Sequence, residues 1–225
     1  MEEKRILLTG FEPFSDLDIN ESSEVVKLIS NSGLQDVEII PSILSVDEEG
    51  TESSLDILKA MEFDAVIHLG LSRDSGKILL ERFATNMISM ELPDNSGRVV
   101  KGSKILENAP ERIETTVSIH NFDEEFEQDK DVQWSHSAGS YVCNETYFKT
   151  LSGLSNSTIP VLFIHLPKMS EISLDRQVEV VSRAIMVMVT RPKLTVVGGM
   201  IKDLNGSILA CMRPEGDAWS GWWEF

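Results

Sequence analysis

Apolar and polar residues follow two different periods along this chain. Short runs rich in Val, Ile, Leu and Phe are separated by longer segments in which apolar side chains recur every three or four residues. The short runs predict β-strands and the longer segments predict amphipathic helices. The predicted strands cover residues 5–9, 38–44, 64–69, 77–86, 132–135 and 161–165, and the predicted helices cover residues 22–29, 48–61, 111–120, 142–151 and 173–189. This alternation indicates a βαβ fold.

The predicted sheet is mixed. Strand 77–86 follows strand 64–69 too closely for a helical crossover, so some of the pairing is expected to be antiparallel. Four of the six residues of strand 64–69 are apolar, and the run Ala-Val-Ile-His-Leu is typical of a central strand covered on both faces. We therefore predict an α/β fold, a three-layer α/β/α sandwich around a mixed, mostly parallel twisted sheet.

Two further segments define the limits of this domain. Arg191-Pro192-Lys193 ends the last predicted helix, because a proline disfavours helical geometry in the residue before it. We therefore predict one domain over residues 1–190 and a tail over residues 191–225. The acidic stretch 123–131 is predicted to be a solvated loop, and a specific cation site is the less favoured alternative.

Composition restricts the partners. The 225 residues include 37 acidic and 20 basic side chains, and the formal charge of −17 opposes binding to nucleic acid or anionic membranes. No signal sequence opens the chain, and the longest apolar stretch, 184–189, is too short to cross a bilayer. A soluble, cytoplasmic protein is expected. With only two cysteines, Cys143 and Cys211, in unlike surroundings, a disulfide framework is not expected.

Cys143 is the first candidate for chemistry. It lies in Ser-Ala-Gly-Ser-Tyr-Val-Cys-Asn-Glu-Thr, at the predicted start of helix 142–151. Unpaired amide groups in the first turn of a helix carry partial positive charge, which stabilises a thiolate. The position therefore favours a nucleophile. A buried structural thiol is the alternative, and it is the more common role of a free cysteine considered alone.

A histidine and a glutamate also end apolar segments. His165 follows Val-Leu-Phe-Ile at the carboxyl end of a predicted strand, the edge where open α/β sheets bind ligands. Taken alone, it could equally be a hydrogen-bonded core histidine. Glu81 lies in Ile-Leu-Leu-Glu-Arg, where an ionised carboxylate needs a partner such as Arg82, a backbone amide or His165. A simple ion pair is the alternative.

The loop after the first strand carries two aromatic rings. Gly10 permits a tight exit and Pro13 stiffens the loop, so that Phe11 and Phe14 could form the walls of a compact apolar pocket. Ordinary core packing of both rings is the alternative. Asn20 is predicted to cap the following helix and, as a second role, to contact a ligand.

Five separated motifs, spread over residues 5 to 190, resemble the pyroglutamyl peptidase I (pyrrolidone carboxyl peptidase) family in order and spacing. They are Gly10-Phe11-Glu12-Pro13-Phe14 with Asn20, Glu81-Arg82 with Asn86, Pro93-Asp94-Asn95, Ser137-Ala138-Gly139 to Cys143-Asn144, and Phe163-Ile164-His165-Leu166-Pro167. The resemblance implies a cysteine peptidase that removes an N-terminal pyroglutamyl residue from peptides. It also implies a homotetramer and no metal or organic cofactor.

The resemblance also implies roles for single residues. Cys143 would attack the pyroglutamyl carbonyl, His165 would stabilise the thiolate and then protonate the leaving amine, and Glu81 would orient the imidazole. The residues expected to contact the substrate are Phe11, Phe14, Tyr141 and Asn20, the first three around the lactam ring.

Several features depart from the family pattern, among them Tyr141, which stands where phenylalanine is common, and the divergent segment between Asn95 and Val132. Glu91 stands where many relatives carry arginine, and the turn at residues 70–77 differs and holds no glutamine. A weakly active or inactive pyroglutamyl-binding homologue and a related amidase of small lactam-like substrates therefore stay open as alternatives. A serine hydrolase is less favoured because residues 138–142 lack the Gly-x-Ser-x-Gly pattern. Metal hydrolysis is less favoured because the four histidines show no ligand-pair spacing.

The tail lies outside this resemblance. Residues 195–201 and 207–212, around a turn at 203–206, predict a β-hairpin. Residues 219–225, Trp-Ser-Gly-Trp-Trp-Glu-Phe, resemble the opening of a Nudix hydrolase domain. The glutamate-rich helix that binds magnesium in that family does not follow, so no Nudix activity is expected. A divergent tail that packs on the peptidase domain is the alternative.

Overall fold

The structure is a computed structural model, which describes residues 3–15 and 17–190 and the backbone of residues 211–212 and 223–224. The chain divides into two compact units, Met1–Thr190 and Arg191–Phe225. In the second unit, strand Cys211–Met212 pairs antiparallel with strand Trp223–Glu224. The other residues of the predicted hairpin lie outside the described residues, and the Nudix resemblance stays a prediction.

The first unit contains eight strands and five helices among its described residues. The strands are β1 (Lys4–Phe11), β2 (Val37–Leu44), β3 (Ala65–Leu71), β4 (Ile78–Glu81), β5 (Phe83–Thr85), β6 (Arg112–Glu114), β7 (Val132–Ser135) and β8 (Val161–Leu166). The helices are α1 (Glu21–Ser32), α2 (Glu48–Ala60), α3 (Ile119–Phe126), α4 (Val142–Gly153) and α5 (Leu174–Val189).

Six of these strands form one sheet in the order β2-β1-β3-β8-β4-β7. All neighbouring pairs are parallel except β4 and β8, which are antiparallel. The mixed, mostly parallel sheet is therefore confirmed. Since β1, β3 and β8 run in the same direction, their carboxyl ends meet at one edge of the sheet.

Helices cover both faces of this sheet. Because successive side chains of a strand point to opposite faces, Ile6 and Leu8 of β1 enter one apolar core and Leu7 and Phe11 enter the other. The first core includes buried apolar residues of α1, α3 and α5. The second includes Tyr147 and other side chains of α4, and apolar residues of α2 pack against it. The three-layer α/β/α sandwich predicted from the sequence is confirmed.

Strand 77–86, predicted as one element, divides at Arg82. β4 joins the main sheet, and β5 forms a separate antiparallel ribbon with β6. The helix predicted over residues 111–120 is wrong, because Ile113 pairs with Ala84 in that ribbon. Helix α3 begins later, where the Ser118 hydroxyl accepts a hydrogen bond from the Asn121 amide at 3.3 Å.

The prediction of a solvated acidic loop over residues 123–131 is wrong for residues 123–126, because they belong to α3. Phe122 and Phe126, one turn apart on α3, are both buried, and the Phe122 ring lies 5.9 Å from that of Trp134. Asp129 accepts a hydrogen bond from Arg183 at 2.7 Å.

Within the described residues, no group of three or more His, Cys, Asp or Glu side chains could hold a metal ion. No helix in the same part of the chain is long and apolar enough to cross a membrane.

Candidate active site

Glu81 and His165 lie on the same face of the sheet as a consequence of strand register. Glu81 ends β4 opposite Phe163 of β8, so the side chain two residues further along β8, His165, is its diagonal neighbour. The Glu81 carboxylate Oε1 lies 2.8 Å from His165 Nδ1. Both residues are buried, and Glu81 is only 1% exposed. Of the partners considered for Glu81 in the sequence, the structure selects the histidine.

Tilted ring contacts link the His165 imidazole to the core of the protein. The His165 ring centroid lies 4.7 Å from that of Phe163, and the Phe163 centroid lies 6.1 Å from that of His68. His68 is hydrogen-bonded to Thr9 and Thr150 at 2.7 and 3.1 Å. Burial lowers the pKa of His68 to about 3, so it is a neutral core residue. Its ring packs against Phe163, which in turn contacts the His165 imidazole.

Cys143 is the second residue of α4 and is a free, partly exposed thiol. The predicted location at a helix start is confirmed. Tyr141 occupies the N-cap position, and its side chain makes no capping hydrogen bond. The next residue, Asn144, anchors this helix start: its amide nitrogen donates to the Thr85 and Met87 carbonyls at 2.8 and 2.9 Å. The thiol is therefore held in place by its own neighbour in the sequence.

His165 is placed to interact with both Glu81 and Cys143. Burial by itself would lower the pKa of His165, because a charged imidazolium loses its hydration. Hydrogen bonds to the Cys143 sulfur and the Glu81 carboxylate oppose this effect and raise the pKa to about 10. The imidazole is thus protonated at neutral pH. Since Glu81 occupies Nδ1, the ring nitrogen that remains for Cys143 is Nε2.

A small pocket, which we call the inner pocket, lies beside the thiol. Its volume is about 130 Å³. The Phe14 and Tyr141 rings both line it and contact each other at a tilt, with their centroids 6.0 Å apart. The four residues predicted from the sequence to contact a substrate all line this pocket, together with two of the three predicted catalytic residues. The lining consists of Phe11, Phe14, Asn20, Val46, Leu71, Ala138, Tyr141, Cys143 and His165.

Asn20 acts first as a structural residue. Its side-chain oxygen accepts a hydrogen bond from the Ser22 amide at 3.1 Å, which confirms the predicted helix cap. Its side-chain nitrogen donates to the Glu12 carbonyl at 3.0 Å and so holds the loop that carries Phe11 and Phe14. Both ends of the Asn20 amide are therefore occupied by the protein.

A larger cavity of about 620 Å³, which we call the outer cavity, adjoins the inner pocket. The two share five lining residues, Phe14, Leu71, Ala138, Tyr141 and His165. Glu81, Asp74 and Glu91 also line the outer cavity. Arg73, from the turn that departs from the family pattern, places its guanidinium 4.7 Å from the centroid of the Phe14 ring.

Residues 93–98 form a loop that links three parts of the site. The Tyr141 hydroxyl donates to the Pro93 carbonyl at 3.1 Å. The Asn95 side chain donates to the Pro13 carbonyl at 3.2 Å, next to Phe14. Arg98 lies 2.7 Å from Glu145 of α4, two residues after the thiol. Arg98 was missed in the sequence, because its contact with Glu145 spans 47 positions.

Comparison with known proteins identifies the family. The family model described as pyroglutamyl peptidase matches residues 4–198. The chain belongs to the pyroglutamyl peptidase family. A pyrrolidone-carboxylate peptidase from Thermococcus kodakarensis is 34% identical over 76% of this chain and 85% of its own length. One from Aliivibrio fischeri is 32% identical over 76% of this chain and 82% of its own.

Solved structures of pyroglutamyl peptidases share the fold. A pyrrolidone carboxyl peptidase from Thermococcus litoralis superposes with a TM-score of 0.78 at 26% identity, over 83% of this chain and 93% of its own. One from Thermus thermophilus gives 0.70 at 32% identity, over 82% and 98%. Members of this family are cysteine peptidases that remove pyroglutamate, so the family and the enzyme class expected from the five motifs are confirmed.

Gly70 allows the thiol to approach the sheet in this pyroglutamyl peptidase. It lies beside His165 in the β3–β8 register. A Cβ atom at this position would lie 2.8 Å from Cζ of Phe163 and 3.1 Å from the Cys143 sulfur. Both distances are shorter than a normal van der Waals contact between these atoms. A glycine is therefore required for the thiol and the ring to occupy their present positions.

We expect Gly70→Ala to lower kcat by about 10- to 100-fold, because a displacement of the nucleophile by a fraction of an ångström degrades its alignment with the reacting carbonyl. The overpacking should lower the free energy of unfolding by about 1–3 kcal/mol. Steady-state kinetics and urea unfolding measure the two effects. Gly76→Ala is the matched control, since the nearest atom to its added Cβ is 3.9 Å away. Equal kinetics for both variants would contradict this role of Gly70.

Proposed function

We propose that this protein is a cysteine peptidase that releases N-terminal pyroglutamate from peptides through a thioester intermediate. The proposal is carried by one observation: a thiol at a helix start and a histidine hydrogen-bonded to a buried carboxylate line the same small pocket. The family of the chain supports the same reaction.

In the first half of the reaction, the Cys143 thiolate attacks the carbonyl carbon of the pyroglutamyl residue. The carbonyl π electrons move to oxygen and form a tetrahedral oxyanion. When this intermediate collapses, the C–N bond breaks and His165 donates its Nε2 proton to the leaving amine. Glu81 stabilises the imidazolium before this step and fixes the ring orientation throughout.

The start of α4 is suited to stabilise the oxyanion. The first amide groups of a helix have no acceptor within the helix, and they point out from its N-terminus. Because the Tyr141 side chain leaves this end uncapped, these amides are free to donate to a developing negative charge.

In the second half of the reaction, water hydrolyses the thioester. Neutral His165 takes a proton from the water, and the resulting hydroxide attacks the carbonyl carbon. The C–S bond then breaks, which releases pyroglutamate and restores the thiolate–imidazolium pair. The reaction needs no redox partner, because only water is consumed.

The inner pocket favours a neutral ring over a charged amino terminus. Among the residues that the structure describes, its lining includes three aromatic side chains, Phe11, Phe14 and Tyr141, and no carboxylate. A free amino terminus would be an ammonium group without a counterion, and it would lie near the positively charged His165. A lactam carries no charge at its ring nitrogen, so it enters the pocket without this cost.

The test is a set of reporter amides that differ only in their first residue. We expect the purified chain to release the reporter from the pyroglutamyl amide at least about 100-fold faster than from the prolyl or glutamyl amide, because those two carry an ammonium group. A folded protein that turns over none of the three amides would overturn the proposal. If such a protein still bound pyroglutamate, the inactive homologue would be selected. Turnover of simple lactam amides but not peptides would select the amidase.

The homotetramer and the cytoplasmic location implied by the family resemblance stay predictions. Light scattering coupled to size-exclusion chromatography of the full chain tests the first of them.

A further inference from the structure

The division of the site into two cavities separates the two parts of the substrate. Cys143 lines the inner pocket only, whereas His165 lines both cavities. Because His165 must reach the leaving amine, the scissile bond has to lie at the boundary between them. The residue that follows the pyroglutamyl group then enters the outer cavity. A volume of about 620 Å³ lies within the range of ordinary ligand sites.

Five charged side chains line this outer cavity, and three of them have partners. Glu81 and His165 are bound to each other, and Arg73 is stacked on Phe14. The remaining two are Asp74 and Glu91, both exposed. Within the described part of the chain, neither carboxylate forms an ion pair. The carboxylates of Asp74, Glu81 and Glu91 outnumber the two cations, Arg73 and His165, by one, so the cavity lining presents a net negative charge to an entering peptide.

The walls between these carboxylates are apolar in part. Leu79 and Leu92 line the cavity, and Leu92 is 51% exposed. Lysine and arginine side chains combine a long apolar stem with a charged head. Their stems can pack on leucine side chains while the head approaches a carboxylate. Aspartate and glutamate side chains would meet repulsion at the same place.

We propose that Glu91, together with Asp74, makes this enzyme prefer peptides in which lysine or arginine directly follows the pyroglutamyl residue. This inference rests on the proposed function and identifies the substrate class within it. Glu91 is a specificity-determining residue of the leaving-group side, and it takes no part in the bond-breaking steps. Exposed ion pairs contribute little individually, so the expected preference for lysine over glutamate at this position is about fivefold in kcat/KM.

The experiment uses three peptides of equal length, of which the first two also have equal net charge. One has lysine directly after pyroglutamate and alanines beyond, and the other has its lysine at the far end. A third peptide has glutamate directly after pyroglutamate. Released pyroglutamate is measured by mass spectrometry with the full chain at low and high salt. We expect the first peptide to be the best substrate, and we expect the differences to shrink at high salt because the carboxylates are exposed.

Matched variants separate the local carboxylate from the overall charge of −17. Glu91→Gln should lower the ratio of kcat/KM for the lysine peptide to kcat/KM for the glutamate peptide about twofold to threefold. The double variant with Glu91→Gln and Asp74→Asn should lower this ratio further. Glu107→Gln removes one charge from an exposed position that does not line the cavity and should leave the ratio unchanged. Thermal unfolding curves establish that each variant is folded.

The outcomes are distinguishable. Equal rates for the lysine and glutamate peptides, or equal effects of Glu91→Gln and Glu107→Gln, would overturn the preference and leave the proposed function standing. No release of pyroglutamate from any of the three peptides by the folded protein would overturn the proposed function and the preference with it.

Discussion

Replacement of Cys143 by serine should lower kcat for a pyroglutamyl peptide by at least about 10⁴-fold. Losses of this size are typical when the nucleophile of a hydrolase is removed. A serine hydroxyl is not ionised at neutral pH, so it needs a base to remove its proton. A serine hydroxyl gives up its proton far less readily than a thiol, so it cannot form with His165 the ion pair that the thiol forms. The hydroxyl would therefore occupy the position of the thiol without its reactivity. Steady-state release of pyroglutamate measures the loss.

The other cysteine of the chain provides the matched control. Cys211 belongs to the second compact unit, and we expect Cys211→Ser to retain full activity. Thermal unfolding of both variants shows whether either change disturbs the fold. If Cys143→Ser kept more than about 1% of the activity, or if Cys211→Ser lost activity to the same degree, the assignment of Cys143 as nucleophile would be wrong.

Glu81→Gln should have the second largest effect, a fall of about 10³-fold in kcat/KM. The amide oxygen can still accept a hydrogen bond from His165 Nδ1, so the shape of the site is kept while the negative charge is lost. Without this charge, the imidazolium that holds the thiolate is less stable. Kinetics of the variant at neutral pH measure the magnitude.

The pH profile of the same variant tests the physical reason. Hydrogen bonds to Cys143 and Glu81 raise the pKa of His165 to about 10 in the native protein. The charged imidazolium exists below this pKa, so activity should be lost as the pH rises through it. Removing the Glu81 charge lowers the pKa of His165, and the alkaline limb of kcat/KM should therefore move to lower pH.

A neighbouring acid serves as the control for this profile. Glu114 pairs with Arg82, the residue next to Glu81, at 2.7 Å and does not contact the imidazole. We expect Glu114→Gln to leave the alkaline limb in place. An unchanged limb in Glu81→Gln, or an equal shift in both variants, would show that the Glu81 charge does not set the protonation of His165.

The sequence predicted the main sheet because its information is local. β1, β3 and β8 are apolar runs whose burial follows from their composition, and α5 carries an apolar stripe of its own. β6 could not be found in this way. Its only apolar residue, Ile113, becomes a strand residue through pairing with Ala84, which lies far from it in the sequence. α3 depends in the same way on the contact of Phe122 with Trp134.

The candidate site could also be predicted only in part, because many of its contacts join residues that are distant in the sequence. Each of the three predicted catalytic residues, Cys143, His165 and Glu81, could be explained alone as an ordinary core or ion-pair residue. Catalysis was favoured only because they occur together within five motifs of the expected order and spacing. The supports of the site carry no such signal. Asn95 contacts Pro13 across 82 positions, and the Arg98–Glu145 pair spans 47. Contacts of this kind are determined by the folded backbone, so a single sequence does not reveal them.

The presence of His165 in both cavities sets an order of events under the proposed mechanism. While the departing peptide fills the outer cavity, bulk water has no route to the thioester from that side. Hydrolysis must then wait until the peptide has left. A peptide that dissociates slowly would hold the acylated enzyme in a state from which its own amine can attack the thioester and re-form the original bond. Slow release of the first product, the shortened peptide, therefore lowers the turnover rate.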